Sequence, residues 1–143
     1  EMASQVGGLK KLRGLPFIVD GFNFIQPDVK HYFLTHFHGD HYTGLSSQFD
    51  IGYIYCSPIT ARLLIEVLHI KPKCVVALEI GEVTEVEGVE VLAIDANHCP
   101  GAVIFAFYDK SQNYSVLHTG DFRAAECVCS QKSLSLSLSL SLS

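Results

Sequence analysis

No stretch of this 143-residue chain is apolar for long enough to cross a bilayer, which takes about 20 consecutive residues. The longest apolar runs, such as Val103–Tyr108, fit buried strands instead. No positively charged start precedes an apolar region, so nothing reads as a secretion signal. Charge is sparse, at 17% of residues, and a basic excess is missing: the formal net charge is −5. Taken alone, then, the segment is not a basic nucleic-acid-binding module. Its small clusters, Lys10–Lys11–Arg13 and Lys71–Lys73, read as solvated surface. The five cysteines, Cys56, Cys74, Cys99, Cys127 and Cys129, are odd in number and match no disulfide framework. Reduced, buried or free thiols are the simple account. Cys127 and Cys129 have no second pair to complete a metal site. Nor is there an internal repeat in the globular part. The chain starts at Glu1 rather than Met, which suggests a segment of a longer protein.

What remains is a hydrophobic fraction of 48% in a length that suits one domain with a real core. Residues 1–15, with Gly7, Gly8 and Gly14, read as a flexible lead-in. After Pro16, Phe17–Asp20 reads as a buried strand with a carboxylate at its tip. Lys30–Thr35 and Ile51–Tyr55 are further strands. Ser57 followed by Pro58 signals a helix start, a hydroxyl cap before proline at the first helical position. That helix is expected to run to about His69, with Ala61, Leu64, Ile65 and Leu68 buried. Cys74–Leu78, Glu82–Val86, Val89–Asp95, Ala102–Tyr108 and Tyr114–His118 are strands, with a tight hairpin at Glu87-Gly88. Many short strands around one clear helix imply an α+β layered fold. Ser133–Ser143 alternates Ser and Leu without a break, has no turn residues or partner strand, and reads as a disordered or artefactual end.

The chemistry concentrates in Thr35-His36-Phe37-His38-Gly39-Asp40-His41, where three imidazoles and a carboxylate follow directly after a predicted strand. His36 and His38 stand two apart in a loop, so both rings can turn toward one ion. Asp40 and His41 can face a second ion. These ligands suit Zn²⁺, Mn²⁺ or Fe, and chance histidine content rarely gives such a cluster. His31 and His69 read as ordinary strand-edge and helix-end residues, and His118 as a structural neighbour. Cys99 would point away from His98 if it continued a strand.

The His-x-His-x-Asp-His pattern resembles the signature of the metallo-β-lactamase superfamily. Further likenesses are Asp95-Ala-Asn-His-Cys-Pro-Gly-Ala-Val103 and His118-Thr-Gly-Asp-Phe-Arg123, with Asp20 at the place of an early aspartate. Together these runs resemble the DNA interstrand-crosslink repair branch of the β-CASP nucleases, the branch of Artemis and Apollo. Gly39 stands where that branch more often has Ser, and it is not a ligand position. The resemblance covers about Pro16 to Arg123.

It implies a partial metallo-β-lactamase (αββα sandwich) fold truncated before the β-CASP insertion: residues 16–126 as the first part of the domain and 127–143 as a disordered tail. His36, His38 and His98 would hold a first Zn²⁺, Asp40 and His41 would face a second, and Asp121 would bridge the two. Two such ions would change the formal charge from −5 to −1. Asp20 would orient a ligand from behind, and Asp40, besides binding, would orient the nucleophile. Arg123 is a candidate phosphate contact, although an ion pair near Asp121 competes for it. A water or hydroxide between the ions would attack phosphorus in line.

The implied activity is a metal-dependent DNA 5′-exonuclease acting in interstrand-crosslink and double-strand-break repair. Its substrate would be single-stranded or damaged DNA with a 5′-phosphorylated end, and its place the nucleus, with no membrane partner. Other readings are an RNA-processing endonuclease, a thioesterase on the same scaffold, and a non-catalytic truncated metal-binding fragment. Further ligands and most DNA contacts would lie beyond this segment, so the chain by itself is expected to be inactive or barely folded.

Overall fold

A computed structural model describes residues 11–23 and 25–124. The Cys127/Cys129 pair and the Ser/Leu tail lie outside the described residues, as does the lead-in up to Lys10. The order of elements is β1 (Phe17–Val19), β2 (His31–Phe33), α1 (Gly39–Tyr42), β3 (Tyr53–Cys56), α2 (Pro58–Glu66), a 3₁₀ turn (Pro72–Cys74), β4 (Val75–Ala77), β5 (Val83–Val86), β6 (Val89–Asp95), β7 (Val103–Asp109) and β8 (Tyr114–His118).

Two four-stranded sheets result. The first, β1-β2-β3-β4, is wholly parallel. The second, β5-β6-β7-β8, is an antiparallel meander. Alternation along the short parallel strands divides their side chains between two cores, as the period-two geometry of a strand requires. Phe17, Val19, Phe33 and Tyr55 point toward the second sheet and meet Val91, Ala93, Val103, Phe105 and Phe107. Ile18, Tyr32, Leu34, Ile54 and Cys56 point outward and pack with Ala61 and Leu64 of α2, and with Phe22, Phe49 and Ile70. Leu92, Ile94, Ile104 and Ala106 form a third cluster on the far face of the antiparallel sheet. Helix, parallel sheet and antiparallel sheet therefore stack in that order, and among the described residues no helix lies on the far face.

Several local signals act as the sequence suggests. Ser57 caps α2, its side chain accepting from the Thr60 N–H, with proline in the first turn. Glu87 and Gly88 both take positive φ, 51° and 77°, as a two-residue turn matched to strand twist requires. Leu12 and Leu15, by contrast, fall in the span expected to be a flexible lead-in, yet they are buried in the core between the sheets at 2% and 3% exposure. The Leu12 N–H bonds the Phe17 carbonyl at 2.9 Å.

The expected end of the helix needs correction. Helix α2 stops at Glu66, three residues short of His69. His69 has a left-handed backbone (φ 55°), and the Ile70 N–H reaches back to the Leu64 carbonyl at 3.1 Å. Ile65 and Leu68 are consequently only half-buried, and Ile70 fills the core in their place. Cys99 does not continue a strand. It lies in the turn between β6 and β7, packed against the third cluster.

Candidate metal centre

The residues singled out by the sequence sit just past the C-terminal ends of strands in both sheets. Asp20 follows β1, His36 and His38 follow β2, His98 follows β6, and Asp121 follows β8. Three contacts join these ends. The Val103 N–H donates to the Thr35 carbonyl at 2.9 Å, and the Arg123 N–H donates to the Ala96 carbonyl at 3.1 Å. Gly120 (φ 52°) lies so close to Thr35 that an added Cβ would stand 2.9 Å from the Thr35 Cβ and Oγ1. Only glycine both takes that backbone angle cheaply and leaves that gap free.

The donor atoms of His36, His38, His98 and Asp121 all lie within 4.8 Å of one another. His36 Nε2 is 2.9 Å from His38 Nδ1, and His98 Nε2 is 3.4 Å from the same Nδ1. Asp121 Oδ2 stands 3.8 Å from both His36 Nε2 and His98 Nε2. Ligand atoms on a tetrahedral ion with Zn–N bonds of 2.0–2.1 Å are roughly 3.3 Å apart, so these spacings bracket what one ion needs. His38 Nδ1 carries at most one proton and cannot serve both imidazoles by donation. A divalent cation satisfies these lone pairs together, and the cluster is consistent with metal binding.

A second group adjoins the first. His41, 7% exposed, directs Nε2 to Asp121 Oδ2 and to Asp40 Oδ2, each at 3.5 Å. Asp40 is itself exposed and stands on α1, one helical turn formed inside the motif where a loop was expected. The Asp121 carboxylate thus lies between the two groups.

Behind the imidazoles stands a residue the motif reading passed over. Thr35 is 1% exposed. Its N–H donates to Asp20 Oδ1 at 2.9 Å and its hydroxyl to Asp20 Oδ2 at 2.7 Å. Having spent its one proton, that hydroxyl can only accept from His36 Nδ1, 2.9 Å away. His36 Nδ1 is therefore the protonated nitrogen, and the Nε2 lone pair faces the cluster. Asp20 does the same for His41 directly, accepting from Nδ1 at 2.8 Å. One buried carboxylate thus sets two tautomers, one of them through a threonine. Its backbone lies in the left-handed region (φ 50°), where short polar residues are the non-glycine types best tolerated. A small buried hydroxyl directly before a histidine cluster was the available signal for Thr35.

The electrostatics agree. Burial pushes the His36 pKa down to about 4, with the neighbouring His41 and His38 adding to it, so the ring is neutral and free to ligate at neutral pH. Burial works against the charge on Asp20, yet hydrogen bonds from His41 and Thr35 hold its pKa below the ordinary carboxylate value. The charge of His118 acts on Asp20 in the same sense, which fits its reading as a structural neighbour. Burial, then Asp121, raise the Cys99 thiol, which leaves it a poor ligand. Arg123 is exposed and forms no ion pair with Asp121 among the described residues. His31 is more than an edge residue: its ring bonds Tyr55 Oη at 3.0 Å and Glu87 Oε1 at 3.2 Å, tying β2 to the second sheet's hairpin. It takes no part in the cluster.

Facing parallel and antiparallel sheets with little helix, and a His/Asp centre where their strand ends meet, define a partial metallo-β-lactamase fold. No protein-family model matches the chain. Among curated proteins it is 44% identical over 115 residues to the DNA cross-link repair protein pso2/snm1 of Schizosaccharomyces pombe, covering 78% of this chain and 20% of that protein. It is 44% identical over 131 residues to the DNA cross-link repair 1A protein of Homo sapiens, covering 85% and 12%. With the 5′ exonuclease Apollo of Gallus gallus it shares 40% over 124 residues, covering 85% and 26%. Among solved structures it overlaps MEM-A1, a subclass B3 metallo-β-lactamase from a soil metagenome library, at TM-score 0.48 and 18% identity, over 79% of this chain and 54% of that one. The chain is a metallo-β-lactamase-fold relative of the SNM1 and Apollo cross-link repair nucleases, and spans about a quarter or less of the length of these three relatives.

Proposed function

We propose that the chain carries the larger part of the metal centre of a DNA 5′-exonuclease acting in the nucleus on interstrand crosslinks and double-strand breaks. The observation that carries this reading is the convergence of His36, His38, His98 and Asp121 within 4.8 Å, in a chain 40–44% identical to proteins named for cross-link repair and 5′-exonuclease action.

In this reading His36, His38 and His98 would hold one Zn²⁺, Asp40 and His41 would face a second, and the Asp121 carboxylate, lying between the two groups, would serve both. Divalent cations held there supply Lewis acidity toward a phosphate oxygen and a water whose pKa falls to about 7. The chain's own residues do the remainder. Asp20 fixes His41 directly and His36 through Thr35, so both rings present Nε2 without reorganising. Asp40, exposed beside the second group, can accept a proton from an attacking water or orient it. Arg123, exposed two residues from Asp121, can meet a non-bridging phosphate oxygen. The substrate is a single-stranded or damaged DNA end bearing a 5′ phosphate.

The test grafts residues 16–123 into the Gallus gallus 5′ exonuclease Apollo in place of its matching segment. Metal-dependent release of nucleotides from a 5′-phosphorylated single strand, abolished by Asp121→Ala, is the expected result. A folded, zinc-loaded chimera that leaves DNA intact but hydrolyses a thioester or RNA would assign the centre to another hydrolase.

A further inference from the structure

The turn that carries His98 is held from outside its own hairpin by the start of α2. Ser57 Oγ accepts from the Thr60 N–H at 3.3 Å, which is the helix cap. The same hydroxyl donates to the Gly101 carbonyl at 2.6 Å, and Thr60 Oγ1 donates to that carbonyl at 3.3 Å. Both side chains are at 0% exposure, so no water replaces a lost partner without rearrangement. Capping needs only the first of these bonds. The two donations to a carbonyl in the β6–β7 turn serve something else.

Gly101 makes this approach feasible. Its φ is 81°, and an added Cβ would stand 2.9 Å from both Ser57 Oγ and Ile59 Cβ. Between Gly101 and His98 the chain has little freedom. The Ala102 N–H closes the turn on the Cys99 carbonyl at 2.9 Å, and the Ala96 N–H closes the loop on the Ala102 carbonyl at 3.0 Å. Asn97, next to His98, adopts a left-handed backbone (φ 51°), with its N–H on Asp95 Oδ1 at 2.7 Å. A shift at Gly101 is therefore passed to the imidazole rather than absorbed.

We infer that Ser57, assisted by Thr60, is a positioning residue of the metal centre, holding the His98 imidazole toward His36 and His38 through the Gly101 carbonyl. This rests on the reading of His98 as a ligand. Helix α2, which packs on the far side of the parallel sheet, thereby sets the one imidazole supplied by the other sheet.

The experiment titrates the full 143-residue chain with zinc against a competing chelator. It compares wild type, Ser57→Ala, Thr60→Val, His98→Ala and the Ser57→Ala/His98→Ala double variant, and records a melt of each in EDTA. Ser57→Ala should weaken zinc binding by roughly 10- to 100-fold, the range for groups that orient a ligand. Thr60→Val, which leaves the cap intact, should weaken it less and in the same direction. In the His98→Ala background the Ser57 change should move affinity by less than about 2-fold, since the path ends at His98. Zinc binding by Ser57→Ala within about 2-fold of wild type overturns the inference. An equal loss with and without His98 also overturns it, because that is what a general loss of structure gives. If Ser57→Ala does not melt cooperatively, Thr60→Val is judged by the same coupling with His98→Ala. A wild-type chain that melts cooperatively yet binds no zinc sinks the metal centre and this inference together; zinc binding indifferent to Ser57 sinks the inference alone.

Discussion

The two sheets contribute to the centre in opposite ways. The parallel sheet has strands of three or four residues, and β1 and β2 end side by side at Val19 and Phe33, just before Asp20 and Thr35. Parallel pairing places consecutive C-terminal ends on one edge, so Asp20, His36, His38 and His41 come from two adjacent strand ends and the single helical turn that follows. The antiparallel sheet is built around two seven-residue strands in full register from Val89↔Asp109 to Asp95↔Val103. Its chain reverses at every strand, so only alternate ends reach the site, and it supplies two residues, His98 and Asp121, from turns after β6 and β8. One sheet gathers ligands by adjacency, whereas the other delivers them singly and must have each delivery anchored. The anchors are Ser57 and Thr60 on Gly101, Thr35 on Val103 and Gly120, and Ala96 on Arg123.

The comparison breaks first if the sheets do not share one core. Phe33 is fully buried, with its ring 4.8 to 5.3 Å from those of Tyr55, Phe107, Phe17 and Phe105. Phe33→Ala should destabilise the fold by about 3–5 kcal/mol in urea unfolding. A loss under about 1 kcal/mol would mean that the sheets fold independently. Next in size, His98→Ala should lower zinc affinity at least ~100-fold, about 2.7 kcal/mol, with the metal-free melting temperature little changed. His98 is partly exposed in a turn, so removing its ring empties no core. Unaltered zinc binding would show that the antiparallel sheet adds nothing to the centre.

Asp20→Asn is sharper in kind though smaller in size. The amide keeps the volume but has one acceptor oxygen instead of two, so its NH2 must face either the Thr35 N–H at Oδ1 or the His41 and Thr35 hydroxyl donors at Oδ2. We expect a loss of roughly 10- to 100-fold in zinc affinity, and a shift in the imidazole ¹⁵N resonances of both His36 and His41. A shift at His41 alone would break the Thr35 relay.

The smallest effect lies in the other sheet, far from metal. Asp109 accepts from the Ser111 hydroxyl, the Gln112 side chain and both their N–H groups in the β7–β8 turn. The Ser111 hydroxyl leads in holding its pKa below the ordinary value. A carboxylate depressed in the folded state stabilises the fold above its unfolded pKa, about 3.9, and loses that contribution as pH falls through the folded value. Acid unfolding of Asp109→Asn should therefore be shallower than wild type below about pH 4, without change at pH 7 in zinc binding.

Much of this was legible in the chain because the signals are local. Ser57-Pro58 marks the start of α2, Glu87-Gly88 fixes a hairpin, and the histidine motif supplies two of the four residues of the observed cluster. What escaped depends on contacts between distant segments. The end of α2 is set by His69 taking a left-handed conformation against a core that Ile70 fills, which helix periodicity does not encode. The parallel order of β1 to β4 follows from burying both faces of three-residue strands, too short to carry a pattern of their own. Thr35 and Gly101 are ordinary residues until β7 and α2 are folded against them. Whether Cys99 continued a strand was open in the sequence, and the Cys99–Ala102 turn decides it.

The most direct test of the central claim, that loops from both sheets converge on one divalent cation, is X-ray absorption at the zinc edge of the purified chain loaded with no more than one zinc per chain. The account predicts a shell of nitrogen and oxygen at about 2.0–2.1 Å with multiple-scattering features of three imidazoles, falling to two in His98→Ala. A sulfur shell at about 2.3 Å, or an imidazole count unchanged by His98→Ala, would contradict it.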